Sequence, residues 1–275
     1  YEVERIERAR PTNLTAWELY LKALHTFNER AQTDHKDEDL ELSRDLAEKS
    51  LTVDESLSVA HSLMSEICIA ELLQHTANES KKTIEDILVH GRRAAELDSK
   101  NPRASDSISR HYFFSGNFDQ ARQYAQRAVK LNPSYPEAHN SLGQALVHSG
   151  KYSEAEPHFN KAIELNPLDT NAIIYKDGLF FTHMGLGNFE IAYSLIQECV
   201  AQFSEAGFYK GFRASVMGYL NKGREAKEAL DEYLAFRPNL KKKSDYKKIF
   251  VPNSTLADIL IEGLVKAGWQ PEDEG

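Results

Sequence analysis

The chain has 275 residues, 41% of them hydrophobic and 27% charged, ordinary proportions for a folded globular protein. Its net charge of −9 excludes a nucleic-acid surface, which rests on clustered excess cations. No apolar run reaches the length of a membrane span, and the start carries no signal-peptide pattern.

In chain order, residues 1–12 open inside a charged, helix-like run with Tyr1 instead of Met, and are read as the tail of a preceding helix or linker in a longer protein. Residues 13–54 form a first, degenerate helical hairpin. Trp17, Tyr20, Leu21 and Leu24 open it and Ala47 and Ser50 close it, with the acidic run Asp34–Asp45 between them. That run is read as a solvated loop and helix start, where carboxylates suit the N-terminal dipole. A second degenerate hairpin spans 56–99, stretched by roughly ten residues around Thr76–Ser80.

Two regular units follow, 102–133 and 136–167. Tyr112, Ala121, Ala125 and Ala128 recur 34 residues later as Leu146, Ala155, Phe159 and Ala162, and Ser115-Gly116-Asn117-Phe118 recurs as Ser149-Gly150-Lys151-Tyr152. Both units end in Leu-Asn-Pro, where proline cannot continue a helix. Moderately regular units at 170–203 and 207–238 repeat the turn as Gly187-Asn188-Phe189 and Gly223-Arg224-Glu225. The first of these turns lies 37 residues after Gly150, so its first helix is expected to be about a turn longer. Residues 239–275 hold a basic linker, with Lys241, Lys242, Lys243, Lys247 and Lys248. A final helix is expected next, capped by Asn253 or Ser254, apolar at Leu256, Ile259, Leu260, Leu264 and Val265, and ended by Gly268.

Small residues at Gly143, Ala155 and Ala162 let paired helices approach closely, and larger ones fill the gap between them. The segment from Pro136 to Pro167, with Leu142-Gly143, Leu146, Ala155, Phe159, Ala162 and Pro167, resembles the tetratricopeptide repeat family at nearly every diagnostic slot. The resemblance implies an all-α, α-α superhelical solenoid of about six hairpins, sealed by the C-terminal helix.

Catalytic chemistry finds no support. There is no phosphate-cradling G-x-x-x-x-G-K-[ST], no G-x-S-x-G elbow and no H-E-x-x-H, and His139 and His148 are nine residues apart, too far to share a helix face as ligands. Cys68 and Cys199 stand in apolar helical stretches and are read as buried free thiols. No enzyme activity, cofactor or metal is expected of this chain.

In the resembling family the first helices of successive hairpins line a concave groove. Carried onto this chain, groove residues are Arg103, Asp106, Arg110, Phe113 and Phe114, then Glu137, Asn140, Gln144, Val147 and His148, then Asn171, Ile174 and Tyr175. The mixture suits a protein or peptide partner held by backbone hydrogen bonds and stacking. Asp106 and Arg110 occupy slots where the family's carboxylate clamp needs Lys and Asn, so acidic C-termini are not the expected ligand.

The two ends narrow the context. Arg10–Leu24 and Ala257–Gly268 resemble the entry and last helix of the repeat region in multidomain bacterial signalling proteins. There a class III adenylate or guanylate cyclase, or a winged-helix DNA-binding domain, precedes a TolB-like segment and then the repeats. The resemblance implies a regulatory, non-catalytic interaction scaffold, cytoplasmic or periplasmic. Two other roles suit the same array: a standalone assembly factor of an envelope complex, and a small-molecule sensor.

Overall fold

The structure, a computed structural model, describes residues 13–29, 37–74, 80–167, 172–202, 207–248 and 254–273. All regular structure among them is helical: α1 (Leu14–Glu29), α2 (Asp37–Val53), α3 (Ser58–Gln74), α4 (Ser80–Leu97), α5 (Pro102–Phe114), α6 (Phe118–Leu131), α7 (Pro136–His148), α8 (Tyr152–Leu165), α9 (Ala172–Leu186), α10 (Phe189–Gln202), α11 (Gly207–Tyr219), α12 (Gly223–Phe236), α13 (Lys243–Lys248) and α14 (Leu256–Lys266). The sequence expectations for Tyr1–Thr12, Asp34, Thr76, Asn171 and Asn253 lie outside the described residues. The chain divides into two compact units, 1–141 and 142–275, with the division inside α7.

In unit 1, α1 pairs with α2, α3 with α4, and α5 with α6, and neighbouring hairpins stack through α2 on α3 and α4 on α5. The upstream helices are 16 to 18 residues long against 13 and 14 in α5 and α6, which accounts for the stretched spacing. Fully buried alanines make the close approaches: Ala16, Ala23 and Ala47 in the first hairpin, Ala121, Ala125 and Ala128 in the third. Buried serines also cross between helices. Ser43 and Ser50 donate to the carbonyls of Ala23 (2.9 Å) and Ala16 (2.7 Å), Ser65 to Ile87 (2.9 Å) and Ser109 to Ala121 (2.7 Å). A hydroxyl at such a position keeps the side chain small and finds an acceptor on the partner helix. Helix α5 starts at Pro102 behind the cap Asn101, whose side chain accepts from Arg103 N (3.0 Å) and donates to Ser58 and Ser62 (3.0 Å each), so one residue caps a helix and joins it to α3.

Unit 2 pairs α9 with α10 and α11 with α12, and α8 stacks on α9. The turns share one closure. Lys151 N bonds Leu146 O (2.8 Å) after Gly150 (φ 79°), Asn188 N bonds His183 O (2.9 Å) after Gly187 (φ 75°), and Lys222 N bonds Met217 O (3.1 Å) after Asn221 (φ 53°). The last turn adds a residue that the sequence reading did not single out. Two residues are left-handed here, Asn221 (φ 53°), 34 residues after Gly187, and Gly223 (φ 46°), which begins α12.

The short α13 is held through the buried Tyr246. On α14, Leu256, Leu260 and Leu264 are buried, whereas Val265 is 41% exposed and does not belong to the packed face. The Ser254 hydroxyl accepts from Leu256 N (3.3 Å) at its start, and Gly268 (φ 106°) ends it. Both cysteines are free and buried.

Candidate functional site

Positions that share a register across the first helices are equivalent places in successive hairpins. Asp106 and Arg110 on α5 correspond to Asn140 and Gln144 on α7, at an offset of 34. On α9 the offset from α7 is 37, giving Asp177 and Phe181, and on α11 it is 71, giving Gly211 and Ser215.

The face in unit 1 carries most of the expected site. Arg103 reaches from α5 to α3, its Nη1 lying 3.2 Å from both carboxylate oxygens of Glu66, and this pairing holds the guanidinium charged. Asp106 is 5% exposed. Burial pushes its carboxyl up to about 7, against the opposing pull of Arg110 and the nearby Ser141 hydroxyl, while Glu137 and Glu66 add to the rise. Arg110 lies one turn on, its guanidinium 5.9 Å from the ring centroid of Phe114. Phe113 stands edge-on to Phe114 at 5.3 Å, and both are half-buried. Asn140 is buried and Glu137 half-buried on α7.

Four side-chain atoms on this face, Asp106 Oδ1, Arg110 Nε, Asn140 Oδ1 and Ser141 Oγ, are buried without a satisfactory hydrogen-bond partner. Each such group costs roughly 1–3 kcal/mol relative to a satisfied one. Their concentration on two neighbouring first helices marks a place where hydrogen-bonding capacity exceeds what the fold uses.

In unit 2 the expected residues fare differently. Gln144 is half-buried. His148 is 4% exposed, packs edge-on to Phe181 at 6.2 Å, and burial drives its imidazole down to about 3, so it is a neutral packing residue. Tyr175 is 4% exposed and belongs to the interior. Here the sequence reading carried an offset of 34 where the structure requires 37, which shifts every groove position on α9. The face residue the sequence missed is Asp177, with Oδ1 buried and unpartnered and a carboxyl pushed up to about 7 by burial. The interval of 37 between Gly150 and Gly187 was the signal that could have found it.

The unit 2 face is also covered. Helix α14 packs along α11 and touches α9. Ser215 donates to Leu260 O (3.0 Å) and Tyr219 to Ile259 O (3.0 Å). A Cβ on Gly218 would overlap the carbonyl of Gly263, so the two backbones are in contact. At its start, Thr255 N bonds His148 O (3.3 Å) and the Thr255 hydroxyl lies 3.2 Å from that of Tyr152. Ser215, Gly218 and Tyr219 are the register partners of Gln144, Val147 and His148, positions expected to meet a partner.

Among the described residues no group of three or more His, Cys, Asp or Glu could hold a metal ion, and no helix is long and apolar enough to cross a membrane. The lysines of the basic stretch are largely paired: Lys247 with Asp258 (2.7 Å), Lys248 with Asp245 (3.2 Å) and Lys241 with Glu272 (4.0 Å).

Residues 108–170 match the profile of the family described as tetratricopeptide repeat. That segment is a pair of tetratricopeptide repeats. Solved tetratricopeptide structures share the fold. A chain of the APC/C hetero-tetramer Cut9–Hcn1 aligns at TM-score 0.62 and 18% identity over 90% of this chain and 46% of its own. PilW, a type IV pilus biogenesis factor, aligns at 0.59 and 14% over 82% and 96%. TTC0263, a thermophilic tetratricopeptide protein of Thermus thermophilus, aligns at 0.55 and 14% over 74% and 98%. Comparison with curated proteins finds no match. The described helices thus share the helical-hairpin fold of solved tetratricopeptide proteins.

Proposed function

We propose that this chain is the non-catalytic, partner-binding regulatory region of a bacterial signalling protein, whose effector is a cyclase or a winged-helix transcriptional regulator. The partner, a protein or peptide, lies across the first-helix face of unit 1. The observation that carries the binding site is the set of buried polar atoms without satisfactory partners on Asp106, Arg110, Asn140 and Ser141. Beside these atoms the half-buried Arg110, Phe113 and Phe114 give a main-chain segment polar and aromatic surface to lie against. The signalling context rests on the terminal segments Arg10–Leu24 and Ala257–Gly268.

The test is affinity capture from the source cell with the full chain as bait, beside an Arg110→Ala, Asn140→Ala double variant. The expected result is a partner retained by the parent chain and lost by the variant with its helicity intact. A partner held equally by both would remove the site assignment. The coding sequence upstream of Tyr1 tests the context: a domain of neither effector class there would overturn it.

A further inference from the structure

The inner positions of α11 are unlike those of α5. Where α5 presents Arg110, Phe113 and Phe114, α11 presents Ser215, Gly218 and Tyr219, at an offset of 105. Two are small and one is hydroxylated, and all three engage α14. The glycine opposes Gly263 so closely that neither position tolerates a side chain. A Cβ on Gly263 would overlap the Ser215 hydroxyl and lie close to its backbone carbonyl. The hydroxyls of Ser215 and Tyr219 read backbone carbonyls of the incoming helix, and Leu256, Leu260 and Leu264 fill the apolar space beneath it. Acidic residues Asp258 and Glu262 stay on the outer side, where Lys247 reaches Asp258. This is a helix-in-groove arrangement with a complementary small-residue crossing.

We propose that the first-helix face of unit 2 is a groove specific for an amphipathic helix with a small residue at its crossing point, and that α14 is its ligand in cis. The proposal rests on the reading of the chain as an interaction scaffold and divides its labour. The unit 2 face is saturated by the chain's own C-terminus, and a foreign partner is left the unit 1 face. The end of the array is then closed by the same chemistry the scaffold uses to hold partners.

The test uses full-length chains that differ only in α14: the parent, Gly263→Leu, and the double variant Leu260→Asp, Leu264→Asp. A fluorescent synthetic peptide of residues 254–270 is titrated into each and followed by anisotropy, with hydrogen exchange reporting whether α14 is seated. The expected result is micromolar binding to both variants, at least tenfold tighter than to the parent, and no binding by a peptide carrying Gly263→Leu. Three results would each overturn the proposal. The first is an unseated α14 with no peptide binding. The second is equal binding to the parent. The third is loss of exchange protection throughout α9–α12 in both variants, which would make α14 ordinary core. Failure of the scaffold reading shows elsewhere, as a parent chain that captures no partner on unit 1, and leaves the peptide result standing.

Discussion

At the scale of single residues, buried polar groups carry the information that composition hides. His61 and His90 face each other between α3 and α4, with Nδ1 atoms 3.1 Å apart, while His61 Nε2 lies 3.0 Å from Glu55 O. The carbonyl fixes a proton on His61 Nε2, so its Nδ1 accepts from His90 and both rings are neutral. Burial lowers both, His90 to about 4. The neighbours Arg93 and Arg44 add to this, and Glu55 and Asp86 oppose it. Because the folded-state values lie below the unfolded value of 6.5, stability is complete above that pH and falls as pH drops from 6.5 through about 4. The raised Asp106 carboxyl acts in the opposite sense, so urea denaturation at pH 7.5 and 5 is read as the difference between the parent chain and a histidine variant, the parent losing more stability, or gaining less, at the lower pH. His90→Gln should be more stable relative to the parent at pH 5 than at pH 7.5, and an equal difference at the two pH values would remove the pair as a source of pH dependence. These residues looked like scattered histidines in the sequence, since nothing in spacing says that His61 and His90 meet across a hairpin.

At the scale of elements, helix pairing follows from where small residues let backbones close. Gly178 on α9 is such a point: an added Cβ would run into the Phe159 ring of α8, which is fully buried and cannot swing away. Gly178→Val should therefore destabilise unit 2 by about 1–3 kcal/mol through overpacking, read as a lower urea midpoint at unchanged slope. A midpoint within error of the parent would show that α8 and α9 can separate freely. The same register explains what was legible in the candidate site. Arg103, Asp106, Arg110 and Asn140 follow from an unbroken period of 34 and stand on the face where the period puts them. Tyr175 does not, because the interval lengthens from 34 to 37 at α9 and rotates its face by most of a turn. His148 does not because Phe181 and the start of α14 close over it, and neither contact has a local signature.

At the scale of the molecule, a solenoid's stability is roughly a sum of repeat and neighbour terms, so damage stays local. In unit 1 a Cβ on Gly91 would stand 3.1 Å from Ile108 Cγ1 and 3.2 Å from Ser107 Cβ, so Gly91→Leu should force α4 off α5. Hydrogen exchange should then show protection lost across α3–α6 and retained in α9–α12; uniform loss would mean that the chain unfolds as one cooperative body. The amino-acid sequence by itself determined the helical class, the turn glycines Gly150, Gly187 and Gly223 and the amphipathic C-terminal helix. All of these are written in short-range periodicity and in residue types with strong backbone preferences. Only the tertiary structure decided which polar residues are buried together, that Asn221 joins Gly223 in the left-handed region, and where α14 rests. Those outcomes depend on contacts between residues far apart in the chain, such as Gly218 with Gly263 and His148 with Thr255, and no periodicity encodes a contact of that range.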